Sequence, residues 1–560
     1  MILDYLDGNC PSDIETDLCI IGAGAAGICI ARAFMGTRVN VCLIESGGLH
    51  GEAATQSLYA GTYDGLPVDP ANSRMRAFGG SCNLWGGGCI ALGVQDMQPR
   101  EWVPHSGWPV SYQELEPYYL RARTYCGIES HAFTNGTFTT RLKHPPLAFD
   151  PAKLTHQTFI RTSTFFGSSY RHELEAATNI QVLLHANLLE LITPANASAV
   201  SGAKIGTLAG KHGEVRARYY VLACGGIENA RLLLLSDSTA QSGLGNERDL
   251  VGRYFMDHPR GKLGTLFTDI PDRLMRPYDR ELGRGPAPPF PEICLSDQAQ
   301  REHRLLNGRV RPFPVGGQTP KGVQAVRDLR ARWRKHPNAR SETQDLEERI
   351  CASLDYPGSV RQDNMSRTPE GTGKLALRMG LGAGDIAKAM GRRLSHKPAV
   401  RSQHFDVVGY FEQAPNPDSR ITLSQERDAL DQRKVHVQWK LTDLDMYTYR
   451  EAGKLFGQEL ARVGRGRFEP EPWLRANSGV SPNIVGTAHH MGTTRMAEHA
   501  ADGVVDPQCR VHGVDNLYVA GSSVFPTAGW AFPTFSVIAL SMRLADHLNN
   551  RMHDLMMFIG

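Results

Sequence analysis

The fold is decided by Asp17 to Glu45, DLCIIGAGAAGICIARAFMGTRVNVCLIE. The apolar run 17–21 predicts a short strand, Gly22-Ala-Gly-Ala-Ala-Gly27 a tight turn, and the Ala-rich segment to about Met35 a helix. A second apolar run, Val39 to Ile44, predicts a strand that ends at Glu45, 18 residues beyond Gly27. Strand, glycine turn, helix, strand and acid in this order make the dinucleotide-binding unit of a parallel α/β sheet. Gly22 permits the turn, Gly24 lets backbone approach a pyrophosphate, and Gly27 lets the helix pack closely on the strand. The helix N-terminus then faces the phosphates, and Glu45 is placed to accept hydrogen bonds from ribose hydroxyls. The pattern by itself serves FAD and NAD equally.

Moving outward, GGSCNLWGGGCI from Gly79 to Ile90 holds too much glycine for a regular element. It reads either as a flexible loop or as backbone laid against a flat ligand, and Leu84 and Trp85 embedded among the glycines favour the ligand. Ile180 to Ile192 alternates like a strand pair. Tyr219 to Cys224 predicts a buried strand closing in Gly225-Gly226, followed by a helix from Glu228 to Leu235. This alternation argues for a parallel sheet completed by distant segments. From about Gly261 to Asn477 the character changes. There are proline-rich pieces (Arg284 to Pro291), a basic helix candidate (Gly322 to Lys335), and period-two alternation in Ser419–Leu423 and Val435–Trp439 that marks an antiparallel portion over His404 to Trp439. The basic helix reads as a solvated face.

A chain of 560 residues leaves room for two to four domains at roughly 100 to 200 residues each. Its 61 basic residues against 58 acidic ones, a net charge of +3, provide no field for a phosphate backbone, so nucleic acid is excluded as a partner. Eleven cysteines without a CxxC pair or zinc spacing read as reduced thiols in a cytoplasmic protein with no metal. No signal-peptide pattern opens the chain, and no stretch reaches the roughly 18 apolar residues of a membrane span. The most apolar helix candidate, Thr534 to Leu548, is broken by Arg543 and Asp546. Without a GxSxG elbow, Ser/His/Asp hydrolysis is not supported.

The C-terminal tract carries HHMGTTRM (His489 to Met496), NLYVAGSSVFPT (Asn516 to Thr527) and PTFSVIALSMRLADH (Pro533 to His547). With the N-terminal turn, the loop from Gly79, LACGGIENARLLLLS (Leu222 to Ser236) and EQAPNPDSRITLS (Glu412 to Ser424), the chain resembles the glucose-methanol-choline (GMC) oxidoreductases, in particular their bacterial and pyranose-oxidase-like branch. The resemblance implies an α/β FAD-binding Rossmann-like domain built from residues 1–100, 175–260 and 477–560. Residues 101–174 and 261–476 would form an α+β substrate-binding domain with an antiparallel sheet. It also implies a small-molecule alcohol substrate, an electron acceptor (oxygen or a quinone-like compound), and hydride transfer to flavin N5. Carried over by position, Gly22, Gly24, Ala26 and Gly27 would hold the FAD pyrophosphate, and Glu45, with Ser46 and Arg76, the adenosine ribose side. Gly79, Gly80, Ser81, Asn83, Leu84 and Trp85 would line the flavin. Leu188, Ala223, Cys224 and Gly225 would sit near the adenine half, and Gly521, Ser522, Pro533 and Thr534 would close the site from the C-terminal side. His489 takes the place of the catalytic histidine.

Three departures from the family pattern matter. Leu84 stands where some relatives tether FAD through histidine, so non-covalent FAD is expected. Asn229-Ala230 replaces a Ser-Pro pair, and Phe532 replaces the second active-site residue, His or Asn. A neutral imidazole suits removal of a hydroxyl proton because its reference pKa is about 6.5. Phe532 can make no such hydrogen bond, leaving His489 alone or with a substitute such as His490 or Asn483, and His490 reads first as structural. Three functions stay open: oxidation of a polyol, sugar, cyclitol or aminoglycoside-like hydroxyl; a secondary-metabolism flavoenzyme doing desaturation or a redox-neutral rearrangement; and a flavin-bearing binding or electron-transfer protein. Retention of His489 argues against the last.

Overall fold

The computed structural model describes the chain except for residues 9, 140, 141, 143, 279–286, 317–319, 335–342, 344, 348, 351–371, 396–401, 476–482 and 560. In the first sheet the strands Ile2–Asp4, Ile180–Leu184, Val41–Ile44, Asp13–Ile21 and His212–Leu222 run parallel in that order. The far edge of His212–Leu222 is shared. Residues 212–215 pair antiparallel with Gly202–Gly206, and residues 220–222 pair parallel with Leu517–Val519. The C-terminal tract thus completes a sheet begun some 500 residues earlier.

Two of these strands are longer than their apolar runs. Asp13–Ile21 and His212–Leu222 are alternately exposed in their first halves and continuously buried in their last four residues. The buried halves alone carry the apolar run from which a strand is read, because only there are both faces covered. The segment 180–192 departs from the expected pair. Ile180–Leu184 joins Val41–Ile44 in parallel, whereas Asn187–Ile192 pairs antiparallel with Gly202–Gly206. The chain turns between them at His185, φ +54°, held by His185 N–H to Gly47 O and Ala186 N–H to Glu45 O. Alternation reports which face is covered, not which strand lies alongside.

The helix after the glycine turn spans Ala25–Ala33, two residues shorter than the sequence suggests, and packs against Phe166–Ala176 and the final helix Pro533–Ile559. The glycine-rich loop forms one 3-10 turn, Gly80–Asn83, and a two-residue strand, Gly88–Cys89.

The second sheet is antiparallel, in the order Gly466–Pro470, Arg260–Thr268, Ser402–Phe411, Gly308–Gly316, Pro289–Leu295, Leu154–Arg161 and Gly88–Cys89. Part of the proline-rich stretch therefore lies in a strand. Pro289 and Pro291 occupy its portion paired on one side only, since its pairing with Gly308–Gly316 involves just Ile293 and Cys294, so neither missing N–H breaks that ladder. The helix Asp443–Gly464, capped by Thr442 and Asp445, packs on this sheet. Arg420–Arg427, Arg433–Trp439 and Gly61–Gly65 form a third, small sheet. The basic helix spans Lys321–Arg334, and Lys335 lies outside the described residues, as do Arg284 to 286. Among the described residues, no helix is long and apolar enough to cross a membrane.

A Cβ on Gly27 would stand 1.9 Å from Gly22 O. Gly27→Ala must therefore part the helix from the strand, and is expected to cost about 1 to 3 kcal/mol by overpacking. A thermal-unfolding midpoint equal to that of the parent would show that this contact yields freely.

Candidate active site

Three glycine turns stand at the carboxyl ends of three neighbouring parallel strands. Gly22 and Gly24 follow Asp13–Ile21, Gly225 follows His212–Leu222, and Gly521 follows Leu517–Val519. In an open α/β sheet this is where ligands bind. A Cβ at Gly24, Gly225 or Gly521 would meet nothing within 4 Å, so the turns leave open space where backbone could approach a ligand. At Gly22 the reverse holds: φ is +103° and a Cβ would stand 2.7 Å from Ala223 O, so here glycine lets two strand ends close on each other. Ala26 sits in the first turn of the helix, whose leading N–H groups have no intrahelical acceptor.

The glycine-rich loop lies against this cradle. Gly79 N–H donates to Ala23 O at 2.8 Å, and Gly80 approaches so closely that its Cβ would be 3.0 Å from Gly24 Cα. Ser81 accepts from Met75 N–H, Asn83 donates to Phe78 O, and Trp85 donates to Thr164 O while packing on Phe166. Leu84 packs on Met75, Ala77, Leu346 and Ile350. Cys82 hydrogen-bonds with Thr534, beside Pro533 at the start of the final helix, and burial pushes its thiol up to about 12.

Glu45 is buried, and its carboxylate accepts from Ala23 N–H at 3.0 Å, Gly47 N–H at 2.9 Å and the Ser46 hydroxyl at 3.3 Å. Ser46 accepts from Arg76 Nε, while Arg76 Nη1 is buried without a hydrogen-bond partner among the described residues. Leu188 is buried two residues past Ala186, whose N–H binds Glu45 O. Cys224 Sγ contacts Ile21 O at 3.1 Å. Asn229, one of the departures, donates to Ala520 O and Ser523 Oγ and accepts from Cys224 N–H, tying the turn after His212–Leu222 to the turn after Leu517–Val519.

The histidines lie next to this cradle. Ser522 donates to His490 O at 2.6 Å, and Gly226 packs directly beneath that carbonyl. His490 is buried with Nε2 unpartnered among the described residues, and burial, then the charge of Arg74, pushes its pKa down to about 3. His489 is half-buried, its ring centre 6.1 Å from that of Phe532.

Two residues that the sequence reading passed over, Asp257 and His258, set His489 in place. The buried Asp257 carboxylate accepts from the N–H groups of His258, Thr487, Ala488 and His489 and from the Thr487 hydroxyl. His258 Nε2 stands 3.0 Å from Gly529 O, an atom that can only accept, so Nε2 carries the proton. Burial, then the charge of Arg309, pushes His258 down to about 4, so the ring is neutral and its Nδ1 is an acceptor. His489 Nδ1, 2.9 Å away, must therefore donate to it. That proton is shared with Thr487 Oγ1 at 3.0 Å, whose own hydrogen goes to Asp257. His489 is left with Nε2 unprotonated. Its pKa is held well below 6.5, chiefly by burial and then by His258, Arg309, His490 and Arg260. Asp-His-Pro at 257–259 carries no local pattern that marks it; an acid followed directly by a histidine before a strand was the available signal.

A dinucleotide cradle beside a neutral histidine with one free nitrogen defines an oxidoreductase of the dinucleotide-binding type. Residues 415–541 match the family model described as GMC oxidoreductase. Over nearly its whole length the chain is similar to the fructose dehydrogenase large subunit of Gluconobacter japonicus, 22% identical across 96% of this chain and 98% of that one. It is 23% identical to 2-methyl-1,2-propanediol dehydrogenase of Mycolicibacterium austroafricanum, across 97% and 96%, and 24% identical to 6'''-hydroxyparomomycin C oxidase of Streptomyces lividus, across 96% and 92%. In fold it is similar to formate oxidase, with a TM-score of 0.54 at 18% identity over 98% of this chain and 100% of the other. A fungal aryl-alcohol oxidase gives 0.54 at 15% over 96% and 99%. Residues 415–541 thus carry the GMC oxidoreductase C-terminal domain, the rest of the chain is similar to oxidases and dehydrogenases along its length, and the protein is an FAD-dependent oxidoreductase.

The open space over Gly24 separates binding from folding. Gly24→Ala is expected to keep the thermal midpoint of the cofactor-free protein but to weaken FAD retention about tenfold or more, since a methyl would occupy the cradle. Titration of the apoprotein with FAD checks this, and a parent-like affinity would place the pyrophosphate elsewhere.

Proposed function

We propose that this enzyme oxidises an alcohol to a carbonyl compound, with His489 Nε2 taking the hydroxyl proton. The observation that carries the reading is the hydrogen-bond relay Gly529 O, His258, His489, which leaves Nε2 as an acceptor. When bound, FAD supplies the acceptor for the two electrons that leave the carbinol carbon. The chain's own residues do the rest. Asp257 fixes the 487–489 backbone, His258 fixes the ring tautomer, and burial beside Arg309 and Arg260 keeps the imidazole neutral and ready to accept. Phe532 presents an apolar ring to this space and offers the substrate oxygen no hydrogen bond.

The orphaned Arg76 Nη1 and His490 Nε2, with the open glycine turns, fit a cofactor there. In this reading Gly22, Gly24, Ala26, Gly27 and Gly521 hold the pyrophosphate, and Glu45 and Arg76 face the ribose. The loop from Gly79 to Trp85, with Thr534, borders the flavin. Leu84, turned onto its apolar cluster, leaves FAD non-covalent. In this reading the parallel sheet belongs to a cofactor domain of residues 1–100, 175–260 and 477–560, and the antiparallel one, apart from its edge strand Gly88–Cys89 and the first residue of Arg260–Thr268, to a substrate domain of 101–174 and 261–476. Oxygen or a quinone-like compound takes the electrons onward. The ten described cysteines, all free, support a cytoplasmic placement.

Anaerobic bleaching of the flavin by an alcohol tests the reading. His489→Ala is expected to slow it by about 100-fold or more, as loss of a general base does, with His490→Ala milder. The parent rate should hold as pH falls from 8 through 6.5, where an ordinary imidazole would be half protonated, because the folded-state pKa of His489 lies well below that value. A rate that halves near pH 6.5 would show that the base is an unperturbed group.

A further inference from the structure

The strand Gly308–Gly316 leaves the antiparallel sheet at Gly316, and the chain returns to that sheet at Ser402, the residue paired with Gly316. What lies between is an excursion from two neighbouring strands, and its composition differs from the rest of the chain. Residues 321–401 hold 17 basic and nine acidic side chains, a net charge of +8, which leaves −5 for the remainder of a chain of +3. A charge that is nearly balanced overall is strongly polarised along the sequence.

The excursion includes two helices, Thr372–Leu381 and Ala383–Leu394. The helical ladder continues through the joint between them, where Gly382 N–H donates to Arg378 O and Ile386 N–H to Gly382 O, both at 3.0 Å. Both helices pack on Lys321–Arg334, and their orientation is fixed. A Cβ on Gly322 would stand 2.7 Å from Gly382 Cα, Leu375 and Ala389 are buried, and Arg392 pairs with Asp272 at 2.6 Å. The outward side is apolar as well. Leu377 and Leu381, one turn apart on the first helix, are 63% and 82% exposed, and Met390 and Leu394, one turn apart on the second, 61% and 80%. These are the four most exposed large apolar side chains among the described residues. Exposed alanine and glycine stand between them, and a Cβ at Gly380, Gly384 or Gly391 would meet nothing within 4 Å. A solvated helix carries its charges on the outer face. Here the exposed charges of the two helices are Lys374, Lys388 and Arg393 against the single Asp385. Lys374 lies two turns before Leu381 and Arg393 one turn after Met390, so cations border the apolar face.

We propose that this face docks on the surface of a bilayer containing anionic lipid, with the two helices in the interfacial plane, the four apolar side chains among the acyl chains and the cations at the headgroups. Charge selects this occupant. A negative surface attracts residues 321–401 and repels the remainder of the chain, so the protein approaches with this face forward. A second copy would meet the face in a two-fold contact that sets the same cations against one another. Docking of this kind needs no spanning helix, and none is present among the described residues. It does not depend on the alcohol-oxidation reading of the site.

Co-sedimentation of the FAD-loaded holoenzyme with large unilamellar vesicles tests the docking. Phosphatidylcholine vesicles with about 30% phosphatidylglycerol are expected to bind it about tenfold or more tightly than phosphatidylcholine alone, a margin that shrinks as ionic strength rises from about 0.1 to about 0.5 M. A variant combining Leu377→Gln, Leu381→Gln, Met390→Gln and Leu394→Gln keeps helix-forming residues and should bind the anionic vesicles about tenfold or more weakly, with FAD content and thermal midpoint unchanged. Lys374→Gln with Lys388→Gln should cut the margin between the two vesicle types about fivefold or more. In Leu394→Trp, the added emission should be quenched by lipid carrying brominated acyl chains. No preference for anionic vesicles, or a fourfold glutamine variant that binds them like the parent, overturns the proposal. So does either competing cover, seen where the parent binds no vesicles: a parent dimer that the glutamine variant dissolves assigns the face to a second copy, and a lowered midpoint in that variant shows that the chain itself covers it.

Discussion

Backbone meets backbone at the glycine turn with no side chain between, and the position of everything else follows from that contact. Gly27 lies under Gly22 O, Gly22 under Ala223 O, and Gly80 against Gly24 Cα, at separations that leave no room for a methyl group. The helix Ala25–Ala33, two strand ends and the glycine-rich loop are thereby brought within one side chain's width of each other. Glu45 secures the arrangement by accepting from both Ala23 and Gly47 N–H. It is therefore a clamp on the turn as well as a candidate ribose acceptor. Removing it would leave two buried donors unpaired, at about 1 to 3 kcal/mol each, whatever is bound.

A second constraint governs the chemistry. Burial pushes the Asp257 carboxyl up, which disfavours the charged form, yet backbone donors from four residues converge on it. Charge-assisted hydrogen bonds of this number compensate much of the desolvation, and they hold residues 487–489 in a bend that includes Ala488 at φ +58°. Asp257 thus sets the backbone of His489, and its neighbour His258 sets the ring. The two functions fall to adjacent residues because one hydrogen-bonds through its side chain to the loop and the other reaches past it to Gly529.

The turn at 22–27 was legible because its geometry is local: glycine spacing and the apolar runs on either side dictate strand, turn and helix without reference to the rest of the chain. The His489 tract was legible only through its likeness to a family. The misreadings have a common cause. The polar halves of Asp13–Ile21 and His212–Leu222, and the parting of Ile180–Leu184 from Asn187–Ile192, depend on which strand lies alongside, and alternation is silent on partners. Asp257, His258 and Arg309 acquire meaning from contacts with residues far away in sequence, as in the pairing of His258 with His489. No periodicity encodes such contacts.

Phe532, which looked like a lost hydrogen-bonding residue, belongs to the same electrostatic arrangement as Arg309. Its ring stands edge-on to Phe159, and a Cβ on Gly88 would strike it at 2.7 Å, so a glycine in the neighbouring strand makes room for it. From that position its face meets the Arg309 guanidinium, a contact worth about 0.5 to 2 kcal/mol that an amide or imidazole of the usual kind would not reproduce. The ring thus offsets part of the buried charge without neutralising it, which a carboxylate in the same place would do.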